Sequence, residues 1–337
     1  AIPLHSFLKY ANVFYLSIGM MAYDHKYSQK WKEVLLHWTF IAQMVNLNTV
    51  LVSELIYVFL AIGKGSNFLE ATMNLSFIGF VIVGDFKIWN ISRQRKRLTQ
   101  VVSRLEELHP QGLAQQEPYN IGHHLSGYSR YSKFYFGMHM VLIWTYNLYW
   151  AVYYLVCDFW LGMRQFERML PYYCWVPWDW STGYSYYFMY ISQNIGGQAC
   201  LSGQLAADML MCALVTLVVM HFIRLSAHIE SHVAGIGSFQ HDLEFLQATV
   251  AYHQSLIHLC QDINEIFGVS LLSNFVSSSF IICFVGFQMT IAVYNHDWFR
   301  ADLRYRKMLI LIIKRAQQPS RLKATMFLNI SLVTVSD

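Results

Sequence analysis

Histidine is the residue type in this chain with the clearest capacity for chemistry, because imidazole nitrogens bind transition metals. His228 and His232 stand four residues apart, a spacing that places both rings on one face of a helix. Further ligands for an iron site of a membrane oxidase or desaturase would have to come from other segments, at His123, His124, His253 and His258. Because these boxes are incomplete, we expect polar-face histidines, with no metal, no cofactor and no catalytic residue. A His-rich membrane oxidase remains the least favoured of three alternatives for the function of the chain.

Charged and amide side chains inside apolar segments form a second group of candidates. Asp85 and Lys87 lie near one end of such a segment, where we expect them to snorkel and anchor the helix at the membrane interface. Asp208 lies deeper and follows a polar stripe made of Gln193, Asn194, Gln198, Ser202 and Gln204. The stripe fits either the wall of a hydrated cavity or hydrogen bonding between helices, and the sequence leaves both open.

The elements that carry these residues are predicted to be membrane helices. The chain is 55% hydrophobic and 13% charged, against about 25% charged for an ordinary soluble domain. Residues 134–157 contain no Asp, Glu, Lys or Arg, and about 20 apolar residues suffice to span a bilayer as a helix. We expect five crossings, with residues 7–21 lying in or re-entering the interface; the crossings are 34–62, 71–91, 134–157, 186–223 and 269–291.

The orientation of the crossings follows from the positions of Lys and Arg, which are enriched in cytoplasmic loops. Residues 93–104 carry five basic side chains, so this loop and the N-terminus are expected inside the cell and residues 158–185 outside. The densest basic region, 298–323, would then fall outside. We therefore infer that one crossing, the sixth, is absent near residues 290–294. A net charge of +4 is too small to indicate nucleic acid as a partner.

Two crossings are longer than a bilayer requires. The apolar periodicity of residues 242–267 runs without a proline into 269–289, and the fourth crossing continues past Arg224. With an amphipathic segment at 298–317, these projections predict an intracellular helical anchor domain. On the opposite side, Cys157 and Cys174 flank the predicted extracellular loop and form either a disulfide or two buried free thiols.

The order and spacing of several motifs resemble insect odorant receptors, in particular the fly receptors that are tuned to individual ligands. The motifs are Asp-Ile-Asn-Glu-Ile-Phe-Gly at 262–268, Ser-Ser-Phe-Ile-Ile-Cys at 278–283, Arg-Ala-Gln-Gln-Pro at 315–319 and Ser-Leu-Val-Thr at 331–334. The resemblance implies an all-α integral membrane protein with seven transmembrane helices and an intracellular N-terminus. It also implies an odorant-gated, non-selective cation channel, a heterotetramer formed with the shared odorant co-receptor in the plasma membrane of olfactory neuron dendrites.

The same resemblance divides the chain into three parts. Residues 1–297 hold helices S1 to S5, with the loop 158–185 outside and the projections 224–267 in the cytoplasm; 298–317 form the anchor helix S7a, and 318–337 begin the pore-lining helix S7b. The sixth helix and the end of the seventh are missing from this pattern. A metabotropic seven-helix chemoreceptor is the alternative function.

Aromatic side chains in the outer halves of the crossings predict an apolar cavity for a small volatile molecule. The resemblance implies the same location, the outer half of the helix bundle. The expected ligand-binding residues are Phe77, Trp144, Asn147, Trp150, Phe188 and Ile191.

Overall fold

The computed structural model describes residues 1–24, 30–64, 68–162, 169–181, 183–232, 239–295, 322–325 and 328–330. Its regular elements, in chain order, are α1 His5–Ser17, α2 Lys30–Lys64, α3 Phe68–Arg93, α4 Arg95–Leu108, α5 Leu113–Gln116, α6 Ile121–Tyr154, α7 Gly183–Glu230, α8 Phe239–Asn295, β1 Leu322–Thr325 and β2 Leu328–Ile330. A single 3₁₀ turn, Glu117–Tyr119, precedes α6, and a π-helical turn, Leu155–Trp160, follows it. The chain is thus built of helices, as the sequence predicts.

Four helices of the described part are long and apolar enough to cross a membrane: Lys30–Gly63, Met73–Arg93, Ile121–Cys157 and Gly183–Glu230. They correspond to four of the five predicted crossings. The fifth lies within α8, a helix of 57 residues that continues through the position of the inferred missing crossing. At 1.5 Å per residue α8 is about 85 Å long. The structure therefore contains the predicted continuous helix over 242–289, which is much longer than a bilayer is thick.

The chain forms two compact units. The first consists of residues 1–49, 84–171 and 180–271. Its interior includes the short helix α1, which packs mainly against α7. Phe7, Ala11 and Tyr15 recur every fourth residue along α1 and are almost completely buried. This periodicity explains why α1 adopts a helix although it is too short to span a bilayer.

Helix α6 begins 13 residues earlier than the predicted crossing at 134, at Ile121. The added turns bury Ile121, Tyr128 and Ser132, and the Tyr128 hydroxyl donates to the Met209 carbonyl oxygen at 3.2 Å. These side chains share a face at helical spacing. A search for an uninterrupted apolar stretch misses these turns, because the other faces of the helix are polar there.

The predicted basic loop after α3 is itself a helix, α4. It buries Leu98, Val101, Val102 and Leu105 along one side. Its exposed side pairs with α8, where Arg97 Nη1 lies 2.5 Å from Glu265 Oε2 and Arg104 Nη1 lies 3.2 Å from Asp262 Oδ2. The acidic residues of the 262–268 motif therefore have a structural partner in the basic block.

The second unit consists of residues 50–83, 172–179 and 272–337. Within it, α2 and α3 pack through an apolar cluster formed by Leu51, Val58, Ala61, Ala71 and Ile78. The loop segment 172–179 attaches to these two helices. The Asn74 amide donates to the Tyr173 carbonyl oxygen at 2.7 Å, and the Trp175 backbone N–H donates to the Ser53 carbonyl oxygen at 3.1 Å. Two backbone groups of the loop are thereby satisfied by the helices.

The C-terminal segment differs from the prediction of a helix beginning at 318. Strands β1 and β2 form an antiparallel pair in which Leu322 is opposite Ile330 and Lys323 is opposite Asn329. β-branched residues such as Thr325 and Ile330 favour strands over helices. The predicted anchor helix 298–317 lies outside the described residues.

Candidate functional site

A cavity of about 310 Å³ lies within the first unit, between the end of α1, the first half of α2, and the facing sides of α6 and α7. Helix α7 contributes most of the wall, at positions spaced so that they share one helical face. The lining residues are Ser17, Ile18, Gln43, Trp144, Asn194, Ile195, Gln198, Ala199 and Ser202. This volume matches the lower end of the range for small-molecule sites.

The turn that follows α1 contains Gly19, and its backbone conformation there requires a glycine. Gly19 has φ of +77°, in the left-handed region, and a Cβ built on it would lie 2.5 Å from the Leu36 carbonyl oxygen and 2.6 Å from the Phe40 nitrogen. Any other residue would collide with the backbone of α2. Close crossing of α2 thus fixes Ser17 and Ile18 at the cavity.

The polar part of the wall consists of three side-chain amides. Gln43 Nε2 donates to the Ser17 carbonyl oxygen at 3.0 Å, Asn194 Nδ2 to the Tyr190 carbonyl oxygen at 2.7 Å, and Gln198 Nε2 to Ser202 Oγ at 3.2 Å. The apolar part includes Trp144 and Ile195. The cavity is therefore amphipathic, with hydrogen-bonding groups beside an aromatic surface.

The predicted polar stripe of α7 separates into two faces. Asn194, Gln198 and Ser202 line the cavity, whereas Asp208 pairs with another helix. The stripe therefore contributes to a cavity wall at one part and to a hydrogen bond between helices at another. Ser17 and Gln43 were not predicted, since they reach the site only through the crossing of α1 over α2.

Of the six predicted ligand-binding residues, Trp144 lines the cavity. Asn147 lies one turn further along α6, is 3% exposed, and its carbonyl oxygen accepts a hydrogen bond from the Tyr190 hydroxyl. Trp150 packs edge-on against Tyr149 with ring centroids 5.0 Å apart. These three residues follow one another on α6, but only the first contacts the cavity.

The other three predicted residues are not among those that line this cavity. Phe188 and Ile191 are 67% and 57% exposed on α7. Phe77 belongs to the second unit, where its ring meets Tyr172 edge-on at 5.3 Å. Of the predicted set, Trp144 therefore lies on the wall of this cavity, and the other five stay predictions for ligand binding.

A partly buried ion pair joins α3 to α7. Lys87 Nζ lies 2.7 Å from Asp208 Oδ1, and the lysine side chain is 1% exposed. The Tyr135 hydroxyl of α6 donates to Asp208 Oδ2 at 3.4 Å. The prediction that Lys87 snorkels to the interface is wrong, because its ammonium group has a carboxylate partner inside the protein.

Two glycines allow α3 and α7 to approach at this point. A Cβ on Gly84 would lie 2.6 Å from Cys200 Sγ, and one on Gly203 would collide with the Ile88 side chain. Small residues at helix contacts let the backbones come close in membrane proteins. The seam formed by Gly84, Gly203 and the Lys87–Asp208 pair is called the α3–α7 seam below.

The histidines considered as metal ligands and the two cysteines considered as a disulfide pair have other surroundings in the structure. Within the described ranges no group of three or more His, Cys, Asp or Glu residues is arranged to hold a metal ion. His232 Nε2 lies 3.0 Å from Asp242 Oδ1, and its ring stacks on Phe245 at 3.8 Å. Cys157 and Cys174 are both buried and are not joined by a disulfide.

Comparison with known proteins places these features in a family. A family model described as 7tm Odorant receptor matches residues 67–293 and 289–337. Odorant receptor 85b of Drosophila melanogaster is 37% identical, over 99% of this chain and 95% of the relative. A second fly relative, 85d in the same series of odorant receptors, is 89% identical over 100% of this chain and 92% of its own length.

The alignments also bear on the inferred missing crossing. The alignment with the 85d relative extends over 377 positions, 40 more than this chain of 337 residues. The two segments matched by the family model meet at residues 289–293. This junction coincides with the position at which the charge pattern predicts an absent helix.

The fold is similar to solved insect olfactory receptors. The structure of OR5 from Machilis hrabei matches with a TM-score of 0.67 at 13% identity, covering 99% of this chain and 94% of that one. The complex of the same receptor with eugenol matches with a TM-score of 0.65. The motifs that resembled this family in the sequence are thus matched by the family model, by relatives and by fold. The chain belongs to the insect odorant receptor family.

Proposed function

We propose that the chain is the odorant-binding subunit of a ligand-gated, non-selective cation channel that it forms with the odorant co-receptor. Membership of the odorant receptor family is the observation that carries this proposal. A relative of similar fold has been solved with the small aromatic volatile eugenol. The cavity beside Trp144 has the size and mixed lining that such a molecule requires.

Gating follows from differential affinity. An odorant that fills the cavity more favourably in the open arrangement shifts the population of channels toward that arrangement by the same free energy. Trp144 and Asn147 lie on α6, and the cavity wall that faces Trp144 belongs to α7. We infer that the odorant acts by changing how these two helices pack. Phe77, Trp150, Phe188 and Ile191 stay predictions for ligand binding.

Recording from transfected cells tests the proposal. Odorant-evoked cation current is expected when this chain and the co-receptor are expressed together, and is expected to be absent with this chain alone. An N-terminal tag should be inaccessible to antibody in intact cells, which excludes the metabotropic orientation. Absence of any evoked current despite surface expression of both chains would contradict the proposal.

The Trp144→Ala variant tests the site itself. Removal of a cavity-lining indole should raise the half-maximal odorant concentration by about tenfold or more. Phe134→Ala is the matched control, because this aromatic residue of the same helix is 71% exposed and should leave the response unchanged. Equal responses of the two variants would place the odorant in another site.

A further inference from the structure

The cavity of the first unit has a buried floor and an exposed rim. Among its lining residues, Ile18, Ala199 and Ser202 are almost completely buried. Trp144 and Ile195 line the same cavity, yet they are 44% and 47% exposed. Part of each of these two side chains therefore lies on the surface of the helix bundle. The cavity opens beside them, on the face shared by α2, α6 and α7.

Hydrogen bonds close the cavity on the side of the loop that joins α6 to α7. The Tyr190 hydroxyl of α7 donates to the Asn147 carbonyl oxygen of α6. On the other flank of α7, Asn46 Nδ2 of α2 donates to the Ser192 carbonyl oxygen at 2.9 Å, and the Ser192 hydroxyl donates to Asn46 Oδ1 at 2.5 Å. These contacts tie α7 to both of its neighbours just before the first lining residue of α7. A ligand that came from the water on this side would have to break them.

The seam between α6 and α7 is closed again beyond the far end of the cavity. There the Tyr135 hydroxyl donates to Asp208 Oδ2, and the Tyr128 hydroxyl donates to the Met209 carbonyl oxygen. The two helices are thus joined on both sides of the cavity along their length. The opening beside Trp144 faces outward from the bundle.

The surface around the opening is apolar and uncharged. Exposed apolar side chains flank Trp144 and Ile195 at helical spacing. They are Val141, Leu148 and Ile191. The stretches of α2, α6 and α7 that supply this face contain no Asp, Glu, Lys or Arg. They are 34–53, 134–157 and 183–207. All three belong to helices that are long and apolar enough to cross a membrane, so this face suits contact with lipid chains.

We propose that odorants enter and leave this cavity sideways, from the hydrocarbon interior of the bilayer, past Trp144 and Ile195. Transfer of an apolar molecule from water into hydrocarbon is favourable, so the bilayer concentrates such odorants beside the opening. The site thus takes the fraction of an odorant that is dissolved in the membrane. The identity of the ligand rests on the proposed function, whereas the position of the opening can be tested without any ligand.

Spin labels test where the opening lies. The full chain with Ile195→Cys is labelled with a nitroxide and reconstituted into phosphatidylcholine vesicles, after the exposed Cys212 and Cys260 have been replaced by Ser. Collisions of the label with oxygen, which concentrates in hydrocarbon, and with a polar nickel chelate, which stays in water, are measured by electron paramagnetic resonance. The same chain without the added cysteine supplies the background spectrum. Gln240→Cys, an exposed position near the beginning of α8, is the water-facing control.

The label at Ile195 should collide with oxygen several-fold more often than the label at Gln240, and several-fold less often with the nickel chelate. Frequent collisions with the chelate at Ile195 would show that the opening faces water. Rare collisions with both reagents would show that protein covers the opening. Either result would overturn the proposed route and leave the channel function intact.

Current kinetics test whether odorants use the opening. Ile195→Trp narrows it, and should slow both the rise of the current at low odorant concentration and its decay on washout several-fold. The half-maximal concentration should change little, because a barrier on the path slows entry and exit alike. Ile195→Ala widens the opening and should accelerate both rates. Val215→Trp, at an exposed position of α7 outside the cavity lining, is the control and should leave both rates unchanged.

Unchanged rates in both Ile195 variants would overturn the route. A change confined to the decay rate would also overturn it, because it would show an effect on affinity alone. Surface labelling confirms that each variant reaches the membrane. Silence of the parent chain toward every odorant would overturn the proposed function, whereas the spin-label result would still decide where the cavity opens.

Discussion

Two carboxylates in the apolar helices, Asp208 and Glu54, have opposite surroundings. Asp208, in the first unit, has an ammonium partner in Lys87 at 2.7 Å and accepts from Tyr135. Glu54, in the second unit, is 2% exposed, and its Oε2 has no hydrogen-bond partner among the described residues. Both residues lie on helices that bury apolar surface around them. A charged residue type in a membrane helix therefore does not by itself indicate a structural ion pair.

The difference has an energetic consequence. A buried ion pair is roughly neutral relative to apolar residues of the same volume, but removing one partner leaves a buried charge uncompensated. Asp208 and Lys87 are therefore interdependent. Glu54 has no such dependence, so its substitution should have a much smaller effect.

The largest expected effect is that of breaking the pair. Asp208→Leu leaves the buried Lys87 ammonium group without its partner and should lower the free energy of unfolding by about 3 kcal/mol. The double variant Lys87→Met with Asp208→Leu should recover most of this loss. Thermal unfolding of the detergent-purified chain and the amount at the cell surface measure both variants. A single variant as stable as the parent would show that the pair does not hold the α3–α7 seam.

An intermediate effect on stability is expected from substitution of the glycines of that seam. Gly84→Ala places a Cβ 2.6 Å from Cys200 Sγ and should destabilise the chain by about 1–3 kcal/mol through overpacking. Gly79→Ala, one and a half turns earlier on α3, meets nothing within 4 Å. This control should stabilise the helix by about 0.5–1 kcal/mol. The same sign for both substitutions would mean that the helices do not approach closely at Gly84.

The smallest effect belongs to the unpaired carboxylate. Glu54→Gln keeps the shape of the side chain and removes the ionisable group, so the free energy of unfolding should change by less than about 1 kcal/mol, in the direction of greater stability. Asp208→Asn, the equivalent change at the paired carboxylate, serves as the reference and should destabilise the chain. A loss at Glu54 as large as that at Asp208 would reveal a partner for Glu54 outside the described residues.

The sequence predicts the long elements well, because their signals are local. An uncharged run such as 134–157 and a proline-free periodic stretch such as 242–289 identify their helices without tertiary information. Helices α6 and α8 accordingly appear where they are expected. The beginning of α6 was missed because its first turns are apolar on one face only.

Contacts between distant segments are less accessible to sequence reasoning. Lys87 and Asp208 are 121 residues apart, and nothing near Lys87 indicates that a carboxylate will arrive beside it. The lining of the cavity is likewise only partly predictable from the sequence. The four-residue spacing of Asn194, Gln198 and Ser202 indicates a common polar face, but Gln43 and Ser17 join it only through the turn at Gly19.

The central claim is that an odorant opens a channel of which this chain is a subunit, and a recording from excised membrane patches tests it most directly. Patches from cells that express the chain with the co-receptor are bathed in solution free of nucleotides and soluble messengers. If the chain is a channel subunit, an odorant still evokes a cation current there, and Trp144→Ala reduces that current. A response that is present in intact cells and lost on excision would contradict the account, because it would show that the current depends on a second messenger.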